Sequence, residues 1–478
     1  MKPELTSIPV ILAAAALAGC QPTEETTTTE TQSTVTTEAS VSSFQVPVEY
    51  HTLGNGLKVV LSQDKTAPIV TVAVYYNIGF RIEPRERTGF AHLFEHMMFQ
   101  GSQNLGKGEF IGLVQANGGV LNGSTRFDFT NYFEIVPSHK LETMLWAEAD
   151  RMRSLDITQE NLTNQQGVVK NEVKVNVLNT PYGGFPWLDM PQYANKNWYN
   201  AHNFYGDLED LDAANLEDVA DFFQQYYAPN NAALAIVGDF EYEEALTMVE
   251  KHFGDIDRSP QPIDLPDIDE PRQETEKRAS RPDPLAPRPG FAFAYHVPER
   301  LTPEWYAMGL LDQILLQGED SLLAQALVKE EGITAGISGG INALLGNMLN
   351  YKGPMLWLAS FVHDADVDDG RIVSAIDRVM ASVQDVPINA DTLARAKIKW
   401  RSNFYNNASE TFGFGRADLL ASLALYDDNP ARLNQFEAEI MKVTPEIIQA
   451  TAQEYLRSSN RTILVLEAGA GQEVANNE

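Results

Sequence analysis

Apolar residues along this chain follow two periods, and together these periods indicate an α+β fold. Runs rich in β-branched residues at 56–61, 69–76 and 233–238 are typical of strands. Helical patterns occur around 88–100, 107–117, 138–153, 158–179, 214–227 and 242–253. The expected unit is a sheet with helices packed on it.

The second half of the chain repeats this arrangement in weaker form. The run 291–295 corresponds to the strand 69–76, and residues 453–466 parallel residues 224–237. Between the halves, residues 258–289 contain eight prolines interspersed with charges, which is typical of a linker. We therefore predict two homologous domains, 46–257 and 290–470, each a mainly antiparallel sheet covered by helices, and a flexible tail at 471–478.

The first 45 residues predict export and a lipid anchor. Residues 8–18 form an apolar run too short to span a bilayer, and it is followed by Cys20 in the lipobox-like order Leu-Ala-Gly-Cys. We expect a signal peptide at 1–19, acylation of Cys20 and a disordered Thr/Glu-rich tether at 20–45. Gln21 favours sorting to the outer membrane, so we predict a periplasmic, lipid-anchored protein. An ordinary signal peptide or a fortuitous cysteine is the alternative.

The charge of the chain argues against one class of partner. The chain carries 66 acidic and 35 basic residues, a net charge of −31, whereas a nucleic-acid-binding protein needs a basic surface. We therefore predict no nucleic-acid partner. An acidic shell is common in proteins that need solubility in salt, and a negative chamber that attracts basic peptides is the alternative.

The candidate chemistry lies in the stretch His92-Leu93-Phe94-Glu95-His96. Two imidazoles four residues apart project from one face of a helix, so both can bind a single metal ion. Glu95 lies near the same face, where a carboxylate can act on a water beside the metal. The order H-x-x-E-H is a zinc-peptidase pattern. A pair of core histidines satisfied by backbone carbonyls, with Glu95 pointing to solvent, is the alternative.

A candidate for the third metal ligand lies on another predicted helix. Glu172 follows His96 by 76 residues and ends the stretch Val-Val-Lys-Asn-Glu. Here the chain resembles the pitrilysin/insulinase family of metallopeptidases, which includes the mitochondrial processing peptidases. The resemblance implies Zn²⁺ bound by His92, His96 and Glu172, one position left for water, and Glu95 as general base. It also implies paired halves that close like a clam shell around a peptide.

The resemblance extends to a predicted edge strand. The similar residues are Asn122, Gly123, Ser124 and Thr125, followed by Asp128, Thr130, Asn131 and Tyr132. In the family an extended peptide adds to this strand beside the metal, which implies that residues 122–125 contact the substrate. For Asn122, a turn-stabilising role is the alternative. Two positions depart from the family: Gln165 replaces a second Glu, and Gly123 replaces Ala.

The second half lacks the metal motif. Matching Gln317-Gly318 to Gln100-Gly101 places Gly309 opposite His92, Asp312 opposite Glu95 and Gln313 opposite His96. This copy therefore cannot bind the metal in the same way.

The second half also lacks the family's substrate clamp, because Val328 and Ala335 occupy the positions of its Arg and Tyr. Some two-subunit members carry the zinc motif on one chain and the Arg/Tyr pair on the other. The resemblance therefore implies a zinc endopeptidase subunit that forms a heterodimer with a homologous non-zinc subunit. A non-catalytic scaffold, or a peptide-binding lipoprotein with a structural zinc, is the competing interpretation.

Overall fold

The computed structural model describes residues 44–263, 265–343, 345–410 and 415–469. The predicted signal peptide, Cys20, nearly all of the tether and the C-terminal tail lie outside the described residues. No helix among the described residues has both the length and the apolar character needed to cross a membrane.

The first half is a six-stranded sheet with helices packed on it. Its strands are β1 (Glu49–Thr52), β2 (Lys58–Gln63), β3 (Ile69–Tyr76), β4 (Val120–Thr125), β5 (Thr130–Pro137) and β6 (Ala232–Gly238). Its helices are α1 (Phe90–Met97), α2 (Glu109–Ala116), α3 (Leu141–Arg153), α4 (Gln159–Val173), α5 (Met190–Ala194), α6 (Trp198–Ala201), α7 (Leu208–Ala213), α8 (Leu216–Tyr226) and α9 (Tyr242–Phe253). A π-helical turn, Lys174–Leu178, extends α4.

The elements predicted from the apolar pattern are present in this half. Strand β3 and helix α9 have the predicted bounds, and the predicted helix 158–179 is α4 with its π-helical turn. Thr158 begins α4 by accepting a hydrogen bond from the backbone N–H of Asn161. Helix α1 is shorter than the predicted 88–100 because Gly89, with φ 80°, cannot continue a right-handed helix.

The second half builds a five-stranded sheet. Its strands are β7 (Lys277–Asp283), β8 (Gly290–His296), β9 (Ser338–Ile341), β10 (Leu356–Val362) and β11 (Arg461–Ala468). Its helices are α10 (Pro303–Leu315), α11 (Asp369–Gln384), α12 (Ala390–Ser409), α13 (Gly415–Asp427), α14 (Phe436–Lys442) and α15 (Pro445–Tyr455). The segment Ala324–Glu330 is π-helical.

The strand orders of the two sheets confirm the internal repeat. The first sheet runs β1-β2-β6-β3-β5-β4 and the second β7-β11-β8-β10-β9. Strands β2 and β7 hold equivalent positions in the two sheets. Each pairs in parallel with the last strand of its own half, β2 with β6 and β7 with β11. All other strand pairs are antiparallel. The fold is therefore α+β with two copies of one unit, as predicted.

The repeat also corrects the predicted linker at 258–289. Strand β7 lies inside that segment and is the counterpart of β2, so the second unit begins near Lys277 rather than at 290. The prolines of this segment are typical of a linker, so the sequence alone does not predict the strand. Pro282 is tolerated because β7 is an edge strand, where a missing backbone N–H costs no ladder hydrogen bond.

The two halves exchange helices across their sheets. Helix α13 of the second half packs on β2, β3 and β6, on the face opposite α1. Helix α5 of the first half packs on the second sheet, where Met190 and Ala194 contact a cluster that includes Ala292, Leu358 and Leu464. Each sheet is therefore covered on one face by its own helices and on the other by a helix from the other half.

Candidate metal centre

Helix α1 presents both motif histidines from one face, with their ring centroids 4.9 Å apart. The carboxylate of Glu83 holds the start of this helix. It accepts hydrogen bonds from the backbone N–H groups of Gly89 at 2.9 Å and Ala91 at 2.6 Å, which would otherwise be unpaired. The fully buried carboxylate therefore fixes the helix that carries His92 and His96.

Helix α4 brings Glu172 to these two rings. Oε2 of Glu172 lies 3.3 Å from Nε2 of His96 and 3.6 Å from Nε2 of His92. Ligand atoms about 2.1 Å from a tetrahedral zinc ion lie roughly 3.4 Å from one another. The spacing and the two-nitrogen, one-oxygen donor set therefore fit zinc. Among the described residues, no other cluster of three His, Cys, Asp or Glu side chains could hold a metal.

The protonation states of the three side chains differ. Burial lowers the pKa of His92 to about 4, so its imidazole is neutral near pH 7 and can donate a lone pair. Burial also opposes the charged form of His96, but the hydrogen bond and charge of Glu172 and the charge of Glu95 outweigh it and raise the pKa of His96. The hydrogen bond with His96 lowers the pKa of Glu172. Protons therefore compete with a metal ion for His96 more strongly than for an ordinary histidine.

Glu95 lies beside this cluster and is held by Thr125. The Thr125 hydroxyl donates a hydrogen bond of 2.8 Å to Oε2 of Glu95. Burial raises the pKa of Glu95, while this hydrogen bond and the charges of His96 and Arg126 oppose the rise. The side chain of Thr125 is buried and orients Glu95. Contact of Thr125 with a substrate stays a prediction. Arg126 was not singled out in the sequence, since no motif marks it.

A loop after α6 supports two of the cluster residues. The Tyr205 hydroxyl donates a hydrogen bond of 3.1 Å to Oε1 of Glu172. The rings of Phe204 and Tyr205 pack against His92, at centroid distances of 4.5 and 5.2 Å. A Cβ on Gly206 would lie 2.2 Å from the backbone nitrogen of Gly89, so only glycine lets this loop lie against the start of α1.

Gln165, where many relatives have a glutamate, also reaches the cluster. It is buried on α4, and its side chain forms a hydrogen bond that raises the pKa of His96. Its Nε2 donates to Oδ1 of Asn164 at 2.9 Å. The amide can therefore orient His96 but, unlike a glutamate, cannot take a proton.

The other predicted substrate residues lie on β4, at the edge of the first sheet. Asn122 is exposed, and its Oδ1 accepts the backbone N–H of Gly123 at 2.9 Å. Ser124 donates to Oδ1 of Asn131 on β5 at 2.5 Å, and Gly123 lies over the ring of Tyr132. The outer edge of β4 has no strand partner among the described residues. Its contact with a substrate stays a prediction.

Among the described residues, the duplicated α+β unit carries a His-His-Glu cluster in one of its two copies. Residues 58–194 match the family Insulinase (Peptidase family M16), and residues 213–399 match the Peptidase M16 inactive domain. The chain therefore belongs to peptidase family M16, which supports a peptidase role in general.

Individual relatives agree with this assignment. The zinc protease PqqE of Helicobacter pylori is 26% identical over 87% of this chain and 92% of that protein. Cytochrome b-c1 complex subunit 1 of Caenorhabditis elegans is 25% identical over 83% of each chain. The crystal structure of a protease from Helicobacter pylori has a TM-score of 0.81 and 24% identity, covering 88% of this chain and all of that one. The relatives thus include a zinc protease and a subunit of the cytochrome b-c1 complex by name.

Proposed function

We propose that the protein is a zinc-dependent endopeptidase that hydrolyses extended or unfolded peptides. One observation carries the proposal: Glu95, held by Thr125, lies beside the three candidate ligands His92, His96 and Glu172. A structural zinc site needs no such carboxylate. A carboxylate with a raised pKa next to a metal site is the arrangement that general acid-base catalysis requires.

Each residue has one task in this mechanism. His92, His96 and Glu172 would hold zinc, which when bound supplies a Lewis acid for the scissile carbonyl and makes water more acidic. Glu95 accepts the proton of the attacking water and then gives it to the leaving amine. Thr125 keeps one oxygen of Glu95 in place, and Tyr205 does the same for Glu172.

The surface beside the cluster suits an extended peptide. The free edge of β4 offers backbone hydrogen bonds that do not depend on side chains, so it favours unfolded segments of varied sequence. On α4 and its π-helical extension, Val168, Val175 and Leu178 are 40%, 53% and 61% exposed. Val168 and Val175 lie four residues before and three after Glu172, hence on the same face. An exposed apolar surface at this point indicates contact with a substrate or a partner.

We also propose a homologous non-zinc subunit as partner. Val328 and Ala335 cannot supply the charge or hydroxyl of the family's Arg/Tyr clamp, so a second chain would provide them. A relative named as a subunit of a complex supports association in this family. The partner would cover the apolar surface of Val168, Val175 and Leu178.

From the N-terminal sequence alone, we propose that the protein lies in the periplasm and is anchored by a lipid. Acylation of Cys20 would anchor the protein to the periplasmic side of the outer membrane. Fractionation of cells that express the wild type or Cys20→Ala tests it. The wild type should sediment with outer membranes and the variant should be released, whereas equal release of both would exclude the anchor.

A non-catalytic scaffold or peptide-binding protein that retains zinc is the second candidate, favoured by the relative named as a complex subunit. Glu95→Gln separates the two functions, because glutamine keeps an acceptor for Thr125 but cannot take a proton. We expect unchanged zinc content and a fall in kcat of about 1,000-fold on unfolded peptides, measured with the homologous subunit present. Glu243→Gln, an exposed change on α9, is the matched control. Full activity of Glu95→Gln would exclude the mechanism.

A further inference from the structure

The second half contains a counterpart of the metal centre with different side chains. Helix α10 corresponds to α1, strand β9 to β4 and helix α12 to α4, by their order in the repeat. Asp312 and Gln313 on α10 take the places of Glu95 and His96. Asn403 lies fourteen positions after the N-cap of α12, as Glu172 lies fourteen after the N-cap of α4.

These counterparts line one cavity of 260 Å³. A water molecule occupies roughly 30 Å³ of liquid, so the cavity has room for a small organic molecule. Besides Asp312, Gln313 and Asn403, its polar lining comes from three further amides, Gln317, Asn347 and Asn407. Its apolar lining includes the rings of Trp400 and Phe404, which stack at a centroid distance of 5.0 Å. None of the described residues that line it is cationic.

Among the described residues, one hydrogen-bond acceptor at this cavity is unpaired and a second is only weakly paired. Oδ1 of Asp312 accepts from Nε1 of Trp357 at 2.7 Å and from Nε2 of Gln317 at 3.2 Å. Within the part of the chain that the structure describes, Oδ2 of Asp312 has only a long hydrogen bond of 3.4 Å from Nε2 of Gln313. Oε1 of Gln313 is buried without a partner among the described residues, and that side chain is more than nine-tenths buried. On these adjacent residues, one acceptor therefore lacks a donor and the other has only a weak one.

The charge of Asp312 is also uncompensated. Burial raises its pKa to about 6, so the group is mainly ionised at pH 7. The described structure shows no ion pair of Asp312 with a Lys, Arg or His side chain. An ionised carboxylate without a cation is costly in a partly buried site. A ligand that brings a positive charge and N–H donors would therefore bind favourably, because it neutralises the carboxylate and supplies the missing hydrogen bonds.

We propose that this cavity binds the amino or guanidinium group of a small organic cation. Oδ2 of Asp312 and Oε1 of Gln313 accept its N–H groups, and Trp400 and Phe404 offer aromatic surface to the charge. The amide side chains of Asn403 and Asn407 complete the polar wall. A free amine and a basic side chain of a peptide present the same chemistry, and the experiment distinguishes them.

The test is calorimetric titration of the full-length, zinc-free chain with methylguanidinium and n-butylamine. Their neutral counterparts, N-methylurea and n-butanol, serve as reference probes. We expect saturable binding of the cations with a Kd near or below about 1 mM, at least tenfold tighter than the neutral probes. A blocked peptide with one internal lysine should bind as well as n-butylamine if peptides are the source. Weaker binding of that peptide identifies free amines.

Two variants connect the binding to this cavity. Asp312→Asn should weaken cation binding at least tenfold, whereas Asp391→Asn, an exposed carboxylate on α12, should leave it unchanged. Gln313→Met removes the second acceptor and should weaken binding several-fold, and thermal unfolding establishes that each variant folds. Binding by the wild type should also weaken as the pH falls through about 6, where Asp312 becomes protonated.

Three results would overturn the proposal: no saturable binding by the wild type, equal binding of the neutral probes, or unaltered binding by folded Asp312→Asn. The titration uses neither zinc nor turnover. Its failure therefore leaves the proposed peptidase function untouched, and failure of the Glu95→Gln experiment leaves this one untouched.

Discussion

Thr125 on an edge strand donates its hydroxyl hydrogen bond to Glu95 on the motif helix, at 2.8 Å. This contact joins the strand proposed to receive the substrate to the group proposed to move the proton. A peptide that adds to β4 is therefore placed relative to Glu95 by the same residue. Removal of the Thr125 hydroxyl should therefore affect Glu95 directly.

Thr125→Val keeps the shape of the side chain and removes the hydroxyl. Without this hydrogen bond the pKa of Glu95 should rise further, since the bond now opposes the effect of burial. We expect kcat to fall about tenfold to 100-fold, with the acidic limb of the pH-rate profile moved to higher pH. Thr125→Ser retains the donor and is the control. An unaltered profile in the valine variant would show that the contact has no catalytic effect.

Tyr205→Phe removes the hydroxyl that holds Oε1 of Glu172. Outer hydrogen bonds of this kind typically change metal affinity by about 10-fold to 100-fold. We expect a loss of that size in competition with a fluorescent zinc chelator, with little change in thermal stability of the metal-free protein. Tyr193→Phe, a partly exposed tyrosine outside the cluster, is the matched control. Equal zinc affinities would contradict the assigned role of Tyr205.

Removal of zinc with a chelator should abolish hydrolysis, and re-addition should restore it.

Zinc affinity should decrease as the pH is lowered. Interaction with Glu172 and Glu95 raises the pKa of His96, so protons compete with the metal from a higher pH than at an ordinary histidine. Affinity should therefore fall steadily as pH is lowered through and below neutrality. Constant affinity between pH 8 and about 5 would exclude His96 as a ligand.

Glu83→Ala should loosen the motif helix. The change leaves the backbone N–H groups of Gly89 and Ala91 without acceptors in a buried position, which costs about 1–3 kcal/mol per group. Denaturant unfolding of the metal-free protein should show a loss of this order. Zinc affinity should fall with it, because both histidines lie on the loosened helix. Glu83→Gln keeps one acceptor and should lose less, and equal effects of the two substitutions would contradict this account.

Asp312→Asn should change how stability depends on pH. Because burial raises the pKa of Asp312 from 3.8 to about 6, the folded state binds this proton more tightly than the unfolded state. The contribution of Asp312 to stability is therefore greatest below about pH 4 and is lost as pH rises through 6. The asparagine variant lacks this loss, so at pH 7 it should be more stable by up to about 3 kcal/mol. Parallel stability curves for variant and wild type between pH 4 and 7 would contradict the prediction.

The sequence predicted what short-range periodicity and local motifs encode. Strand β3 and helix α9 have clean apolar patterns, and their bounds were predicted correctly. The i, i+4 spacing of His92 and His96 predicted a shared metal face, and family resemblance added Glu172. The structure brings all three together.

The rest depended on contacts between distant segments. The prolines of strand β7 make its sequence typical of a linker, and only its pairing with β11 shows that it belongs to a sheet. The sequence did not predict the hydrogen bond from Thr125 to Glu95, because it does not show which side of an edge strand is buried. Glu83 and Tyr205 act on helices far along the chain, and no local pattern reveals such partners.

The exchange of α5 and α13 has a consequence for the history of the chain. These helices hold equivalent positions in the repeat, after α4 and α12, and each covers the sheet of the other copy. Once a duplicated unit is interlaced in this way, neither copy can be deleted without exposing the apolar face of its neighbour. Substitutions at the positions that correspond to the metal ligands are therefore tolerated in the second copy, whereas loss of its fold is not. The side chains around Asp312 can differ from those around Glu95 while each sheet keeps the helix that covers it.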